Sequence, residues 1–316
     1  MGSQLLHDKL PVIDFTDENL KPGTDSWNLA CNTVRHAFEE YGCFVALYDK
    51  VSAELHNSIF KAVEEIFNLP AEIKRQKTSD KPYHSYYAGQ AGSLPLFESL
   101  GIDDVITKES VQSYEKFMFP AGNESFCETV TSYSKLVAEL DQIVKRMVFD
   151  SYGVEKKHCD SLIESTNYLL RGFKYRVPEM EENNLGIHSH RDTTFMSILH
   201  QNHISGLQIQ SQDGEWIDTE PSPSSYIVMA GEASMVWSNG RVRPCEHKVI
   251  MNGKKTRYSL GLFSFIKGML HTPEEVVDEQ NPLLYKPFDH YGYLNFQASQ
   301  KVMKPGSLIQ EFCGVN

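Results

Sequence analysis

Near the amino terminus the first apolar positions form a short run, Pro11 to Phe15, which reads as a strand followed by the turn-like Lys21-Pro22-Gly23. Val34, Ala37, Phe38 and Tyr41 then share one helical face, and Gly42 ends it. Cys43 to Leu47 is continuously apolar, as a buried strand is. Leu55, Ile59, Ala62, Val63 and Ile66 recur at helical spacing behind a candidate N-cap, Ser52, until Asn68 and Pro70 stop the pattern. Val130, Tyr133, Val137, Leu140, Val144 and Met147 predict a long amphipathic helix ending near Gly153.

Between those helices, residues 77–111 show no period and carry Tyr83, Tyr86, Tyr87, Gly89, Gly92 and Phe97. So long a connection reads either as a lid or binding segment, or as a surface crossing pinned by its aromatics. From about Tyr168 to Ile266 the character changes to short runs: Leu207–Gln210, Trp216-Ile217, Tyr226–Met229, Met235–Trp237, Val249–Met251 and Tyr258–Phe265. Turn signals at Asp213-Gly214, Pro221-Ser222-Pro223, Gly231, Asn239-Gly240 and Asn252-Gly253 separate them, which predicts a sandwich, jelly roll or barrel. Asp289 to Gln300 returns to a helix-compatible pattern.

Composition narrows the partners. The 316 residues hold 42 acidic against 30 basic side chains, a net charge of −12. That balance disfavours nucleic acid and anionic membrane surfaces, which both need clustered Lys and Arg. No run approaches a membrane span, and Met1 to Lys9 lacks an apolar signal core. The six cysteines are widely spaced, without a C-x-x-C pair, as expected of reduced thiols. The chain reads as cytoplasmic.

Candidate chemistry concentrates in Gly186-Ile187-His188-Ser189-His190-Arg191-Asp192. His190 and Asp192 are two apart, so on a strand they face one way and offer an imidazole and a carboxylate to one metal ion. His247 lies several predicted strands later, where a neighbouring strand could supply a third ligand and leave adjacent coordination positions open. His188 shares the ligand face, which leaves an alternative coordination by His188 and His190. In Arg257-Tyr258-Ser259-Leu260-Gly261-Leu262-Phe263 the alternation puts Arg257, Ser259, Gly261 and Phe263 on one face. A buried arginine there needs an anion, and a guanidinium beside a hydroxyl suits a carboxylate.

In order and spacing, His190-x-Asp192, His247 and Arg257-x-Ser259 resemble the signature of plant iron(II)- and 2-oxoglutarate-dependent dioxygenases. Similarity extends to Pro11-Val12-Ile13-Asp14-Phe15, Glu40-Tyr41-Gly42-Cys43-Phe44, Leu69-Pro70 with Lys74, Trp237-Ser238-Asn239-Gly240-Arg241, and Glu274 to Asp278 before Pro282. Leu20-Lys21-Pro22-Gly23, Lys174-Tyr175-Arg176-Val177-Pro178, Tyr285-Lys286-Pro287-Phe288 and Phe312-Cys313-Gly314 resemble the branch of glucosinolate-modifying, alkenyl- and hydroxyalkyl-producing enzymes.

The resemblance implies a mixed α+β fold: a double-stranded β-helix, or jelly-roll (cupin-like) barrel, with supporting N-terminal helices and a C-terminal helix. It implies one domain over 1–316, with an α-rich region at 1–165, a jelly-roll core at 166–268 and a helical segment at 269–316 covering the pocket. It assigns His190, Asp192 and His247 to Fe(II), and Arg257, Ser259 and Tyr175 to the distal carboxylate of 2-oxoglutarate. With O2 as second co-substrate and ascorbate as reductant, the implied oxidant is a ferryl species that abstracts hydrogen from an unactivated carbon. Hydroxylation, desaturation, demethylation or ring closure follows, with release of succinate and CO2.

Two positions depart from the pattern: Arg191 stands between the ligands where relatives carry Thr or Ser, and Phe173 stands where many carry Asn. Phe263 matches a substrate-stacking position. Tyr86, Phe97, Phe119, Phe173, Phe195, Phe288 and Tyr291 are further candidates for contact with a hydrophobic or aromatic plant metabolite. Two other readings share the triad: a zinc hydrolase, and a non-catalytic small-molecule binding protein.

Overall fold

The computed structural model describes residues 9–90, 93–123, 125–300 and 308–315. Met1 to Asp8 of the segment read for a signal core, and Gly92, lie outside the described residues, as do residues 301–307 of the C-terminal segment.

Two strands open the larger sheet, β1 (Val12–Asp14) and β2 (Cys43–Leu47), and helix α1 (Asp25–Glu40) joins them. Thr24 caps α1 by accepting from the Trp27 N–H. Gly42 stops it with φ +72°, and a Cβ there would sit 2.6 Å from the Arg243 carbonyl oxygen, so no larger residue fits. Helices α2 (Ala53–Phe67, capped by Ser52 as expected) and α3 (Ala71–Arg75) follow.

The 77–111 stretch is not a free loop. It forms a hairpin, β3 (Tyr87–Gln90) and β4 (Ser93–Asp103), and runs into α4 (Lys108–Met118). Pro95 and Gly101 hide the strand from propensity. Pairing recruits it: β4 lies beside β5 (Thr166–Tyr175) from Phe97↔Tyr175 to Asp103↔Leu169.

After α5 (Phe126–Ser151) and α6 (Lys156–Glu164), β5 begins a run of strands: β6 (Leu185–Arg191), β7 (Met196–Gln201), β8 (Leu207–Gln210), β9 (Trp216–Asp218) and β10 (Ser225–Ala230). Met235–Trp237, read from sequence as a strand, belongs instead to the short helix α7 (Glu232–Trp237). Val236 and Trp237 are buried and Met235 half-buried, a condition a helix turn satisfies as well as a strand does. Next come β11 (Glu246–Ile250), β12 (Arg257–Ile266), β13 (Met269–Leu270), β14 (Phe288–Asp289), α8 (His290–Ser299) and α9 (Leu308–Cys313).

The larger sheet has the order β1-β2-β10-β7-β12-β5-β4-β3, and a second has β6-β11-β8-β9. This is the jelly roll. The stretch before residue 166 contributes four of the larger sheet's strands as well as its helices. Alternation along β12 divides the interior: Leu260 and Leu262 face the helices, packing with Val63, Phe67 and Val130, whereas Phe263 faces Ile187, Ile209 and Val249 of the smaller sheet.

A buried ion pair fastens the long helix to this frame. Lys145 Nζ lies 2.7 Å from Asp141 Oδ2, the Tyr168 hydroxyl donates to the same oxygen at 2.6 Å, and Lys145 donates to Thr166 Oγ1. Burial lowers the Lys145 pKa, and Asp141 opposes that shift.

Candidate active site

His190 on β6 and His247 on β11 are direct cross-strand partners, with ring centroids 4.2 Å apart. Asp192 follows the end of β6, and its Oδ1 lies 3.7 Å from His190 Nε2. The ligand atoms of all three lie within 4.8 Å of one another. Their own hydrogen bonds aim them. His190 Nδ1 lies 2.8 Å from the His188 carbonyl and His247 Nδ1 3.2 Å from the Cys245 carbonyl; since a carbonyl only accepts, each Nδ1 carries the proton and each Nε2 lone pair is free. Ser197 Oγ donates to Asp192 Oδ2 at 2.6 Å, leaving Oδ1 toward the histidines. Two imidazoles and one carboxylate fit a divalent first-row metal.

His188 is exposed and outside this cluster, so the His188–His190 alternative finds no support in the geometry. Arg191 lines the cavity beside these ligands but is engaged elsewhere, donating to Glu246 at 2.9 Å. The residue after Asp192 is also held: the Thr193 carbonyl accepts from His290 Nε2 at 2.7 Å, while the Ile266 N–H donates to His290 Nδ1 at 3.1 Å. His200, expected to be free of metal, is fully buried, its Nδ1 accepting from the Tyr133 hydroxyl and its Nε2 donating to the Pro223 carbonyl. Burial pulls its pKa down to about 3.

On the larger sheet, register brings Arg257 beside Tyr175 and Ser259 between Phe173 and Gln201. Arg257 is 1% exposed. Its Nη1 donates to Ser259 Oγ at 3.1 Å and its Nη2 to Gln201 Oε1 at 2.6 Å, while Nε is buried without a partner. Among the described residues no carboxylate pairs with it, so its charge awaits an anion. Ser259 accepts from the guanidinium and keeps its own proton to donate. Burial pushes the Tyr175 phenol up to about 12, so it also remains a donor.

Gln201 was not among the sequence candidates. Its Nε2 donates to Thr219 Oγ1 at 3.0 Å, which fixes its oxygen toward Arg257. The available signal was its position as the one amide of a fully buried strand, at the end of β7.

A cavity of about 530 Å³ opens beside His190 and Asp192, a size suited to a small organic molecule. Of the aromatic candidates, Tyr86, Phe97, Phe173 and Phe263 line it. Phe173 is 6.0 Å from Phe97 and 6.1 Å from Phe263 between ring centroids, so an apolar wall stands where Asn was the alternative. The other four do not line it. Phe195 packs into the helix-side core against Trp237, because it lies on the far side of the turn from the ligands. Phe119 packs on Phe126, Phe288 on Tyr293 and Phe312, and the Tyr291 hydroxyl accepts from Asn167 Nδ2 at 3.0 Å. Arg171 also lines the cavity and was missed; it shares strand parity with Phe173 and Tyr175, which was the legible clue.

Residues 165–266 match the family described as the 2OG-Fe(II) oxygenase superfamily, and residues 10–104 match the non-haem dioxygenase in morphine synthesis N-terminal family. The chain is similar to the probable 2-oxoglutarate-dependent dioxygenase AOP1.2 of Arabidopsis thaliana, 43% identical over 91% of this chain and 90% of the relative. It is 29% identical to the 2-oxoglutarate-dependent dioxygenase AOP3 of the same plant over 98% of each. A solved structure of the Arabidopsis thaliana dioxygenase for auxin oxidation 1 with 2-oxoglutarate superposes with a TM-score of 0.77 at 26% identity, over 87% of this chain and all of that one. The dioxygenase for auxin oxidation of rice has the same fold, with a TM-score of 0.81 at 23% identity over 97% of this chain and 100% of that one.

Proposed function

Because the chain belongs to the 2OG-Fe(II) oxygenase superfamily, we propose that His190, Asp192 and His247 hold its ferrous iron and that Arg257, Ser259 and Tyr175 clamp the distal carboxylate of its 2-oxoglutarate. The protein is a 2-oxoglutarate-dependent dioxygenase acting on a small molecule, with Fe(II), 2-oxoglutarate and O2 as its cofactor and co-substrates. The observation that carries the residue assignment is the convergence of three ligand atoms within 4.8 Å, each aimed by a hydrogen bond on its other side.

When bound, iron and the oxo acid supply oxidative decarboxylation by O2 coupled to oxidation of a substrate C–H bond. The chain's residues prepare that chemistry. The carbonyls of His188 and Cys245 hold each imidazole in the tautomer a metal needs, and Ser197 orients Asp192. Arg257 neutralises the carboxylate, while the Ser259 and Tyr175 hydroxyls donate to it. Phe97, Phe173 and Phe263 shed water from the cavity and give an apolar or aromatic substrate body a surface to pack on. The substrate is a hydrophobic or aromatic plant specialised metabolite.

The finer settings belong to the same reading. One domain accommodates the whole, since the main core runs from Ile13 through the helices to Cys313. A cytoplasmic monomer that binds neither nucleic acid nor membrane accords with the acidic net charge of −12, with six unpaired, buried cysteines, and with the absence of any described helix long and apolar enough to cross a membrane.

The test is anaerobic titration of Fe(II)-loaded protein with 2-oxoglutarate. A metal-to-ligand charge-transfer band, lost in Asp192→Ala and Arg257→Gln, is the expected result. A wild-type protein that shows no band and, with oxygen and ascorbate, forms no succinate would refute the assignment. Hydrolysis supported by zinc without oxygen would instead favour the hydrolase reading.

A further inference from the structure

The barrel contains a second guanidinium that no carboxylate among the described residues neutralises. Arg171, on β5, faces the cavity that His190 and Asp192 line. Its Nη2 donates to Ser99 Oγ at 2.6 Å, and its Nε is sealed from solvent without a partner. Among the described residues no carboxylate lies within ion-pair distance of it. Asp192 acts on it through space, but that carboxylate is turned to the histidines. Burial draws the Arg171 pKa down to about 10, which still leaves it charged at neutral pH.

Its stem is seated between neighbours without side chains. Arg171 sits in register between Gly101 on β4 and Gly261 on β12. A Cβ at Gly101 would fall 2.9 Å from Leu169 Cδ1 and 3.4 Å from Arg171 Cγ; one at Gly261 would fall 2.5 Å from the Phe263 ring. The arginine therefore rises between two positions without side chains, and Phe173, Phe97 and Phe263 form the apolar wall beside it. Its guanidinium carbon lies 5.6 Å from the Phe173 ring centroid. A half-buried charged fork in an aromatic cavity, with its Nε sealed and unpartnered, is costly unless an oxyanion meets it.

We propose that Arg171 binds an anionic group of the substrate, so that the enzyme takes an organic acid: an apolar or aromatic body carrying a carboxylate or a sulfate. This rests on the cavity beside the proposed metal ligands being the substrate site. Two separate guanidinia then serve two anions, Arg257 the co-substrate and Arg171 the substrate. The substrate's charge is held on the larger sheet, while the metal ligands stand on the smaller one.

The test uses a library of small aromatic and alicyclic carboxylic acids, each paired with its amide, plus phenethyl sulfate paired with phenethyl alcohol. Binding is read by ligand-observed NMR on the full chain. The expected result is that hits concentrate among the acids or the sulfate, which thereby identifies the anion. The best anion should bind at least about tenfold more tightly than its neutral partner, as a charge-assisted bond requires. Arg171→Gln should erase that preference and leave the anaerobic charge-transfer band with 2-oxoglutarate intact. Should Arg171→Gln fail to fold, Arg171→Lys gives the reading, with at least about a threefold loss of preference expected from the missing fork. An absence of hits, hits without anion preference, or a preference unchanged in the variant that folds would overturn the proposal. So would loss of the 2-oxoglutarate band in Arg171→Gln, which would move the residue to the co-substrate. A wild-type protein with no such band at all is a failure of the family assignment, measured separately.

Discussion

Replacing Gln201 with Glu changes one terminal atom, yet it should separate the two tasks of the Arg257 site. In the wild type, Arg257 Nη2 donates to Gln201 Oε1 at 2.6 Å, so the guanidinium is oriented without being neutralised. Gln201→Glu would put a carboxylate at the same distance. The charge we propose for 2-oxoglutarate would then be satisfied internally, and the incoming carboxylate would face a like charge. Two such charges roughly 5 Å apart repel by about 3 kcal/mol at an effective dielectric constant of about 20, a loss of affinity on the order of 100-fold. Gln201→Leu is the matched control. It removes the acceptor but leaves the positive charge, so affinity should fall by less than about tenfold. Stability should drop by about 1.5–3 kcal/mol, because a buried charged donor loses its partner. Anaerobic 2-oxoglutarate titration and urea denaturation of the three proteins provide both readings. If Gln201→Glu binds 2-oxoglutarate within about threefold of wild type, Arg257 is not the carboxylate clamp.

Three further outcomes follow from the geometry. His190→Ala, Asp192→Ala and His247→Ala should each weaken Fe(II) binding by more than about 100-fold in metal titration, whereas His188→Ala should match the wild type. His200 has its pKa lowered to about 3 in the fold, from an ordinary value of 6.5. The unfolded chain therefore takes up the proton first: the stabilisation is complete above about pH 6.5 and falls as the pH drops, by about 2 kcal/mol at pH 5. Chemical denaturation at pH 7 and pH 5 measures it, and His200→Gln should remove that share of the slope. Asp141→Ala would strand the buried Lys145 ammonium and should cost about 3–5 kcal/mol, while Asp141→Leu with Lys145→Met should recover most of that loss; equal stability of the single and double variants would contradict this account.

The elements that depend on local pattern were legible in the sequence. Ser52 and its helix, the Cys43–Leu47 strand, the Leu207–Gln210 strand and the long helix through Val130 and Met147 all carry their period and their stop signal. The site was legible for the same reason: strand alternation places His190 with Asp192 and Arg257 with Ser259 without reference to anything distant. What escaped depends on partners far along the chain. β4 contains Pro95 and Gly101 and exists through its pairing with β5. Gln201 gains its meaning only when β7 lies beside β12, and Arg171 only when Gly101 and Gly261 flank it. Phe119, Phe195, Phe288 and Tyr291 show the converse. An aromatic residue announces that it will be buried, but not on which side of a sheet.

The imidazole of His290 joins three stretches of chain that lie far apart in sequence: the turn after Asp192 through the Thr193 carbonyl, the end of β12 through the Ile266 N–H, and α8, which it begins. Peeling α8 away would expose two buried partners at once, so its opening free energy should approach that of global unfolding. A ligand cannot enter by that route on the time scale of turnover. Traffic falls instead to the far end of the same helix, where the exposed Tyr83 hydroxyl donates to Gln297 in the last turn of α8 at 2.7 Å, a single solvent-facing contact that thermal motion breaks readily. Hydrogen exchange should find the Ile266 amide, which donates to His290 Nδ1, among the slowest in the chain and those around Tyr83 among the fastest; the reverse order would place the doorway at the start of α8.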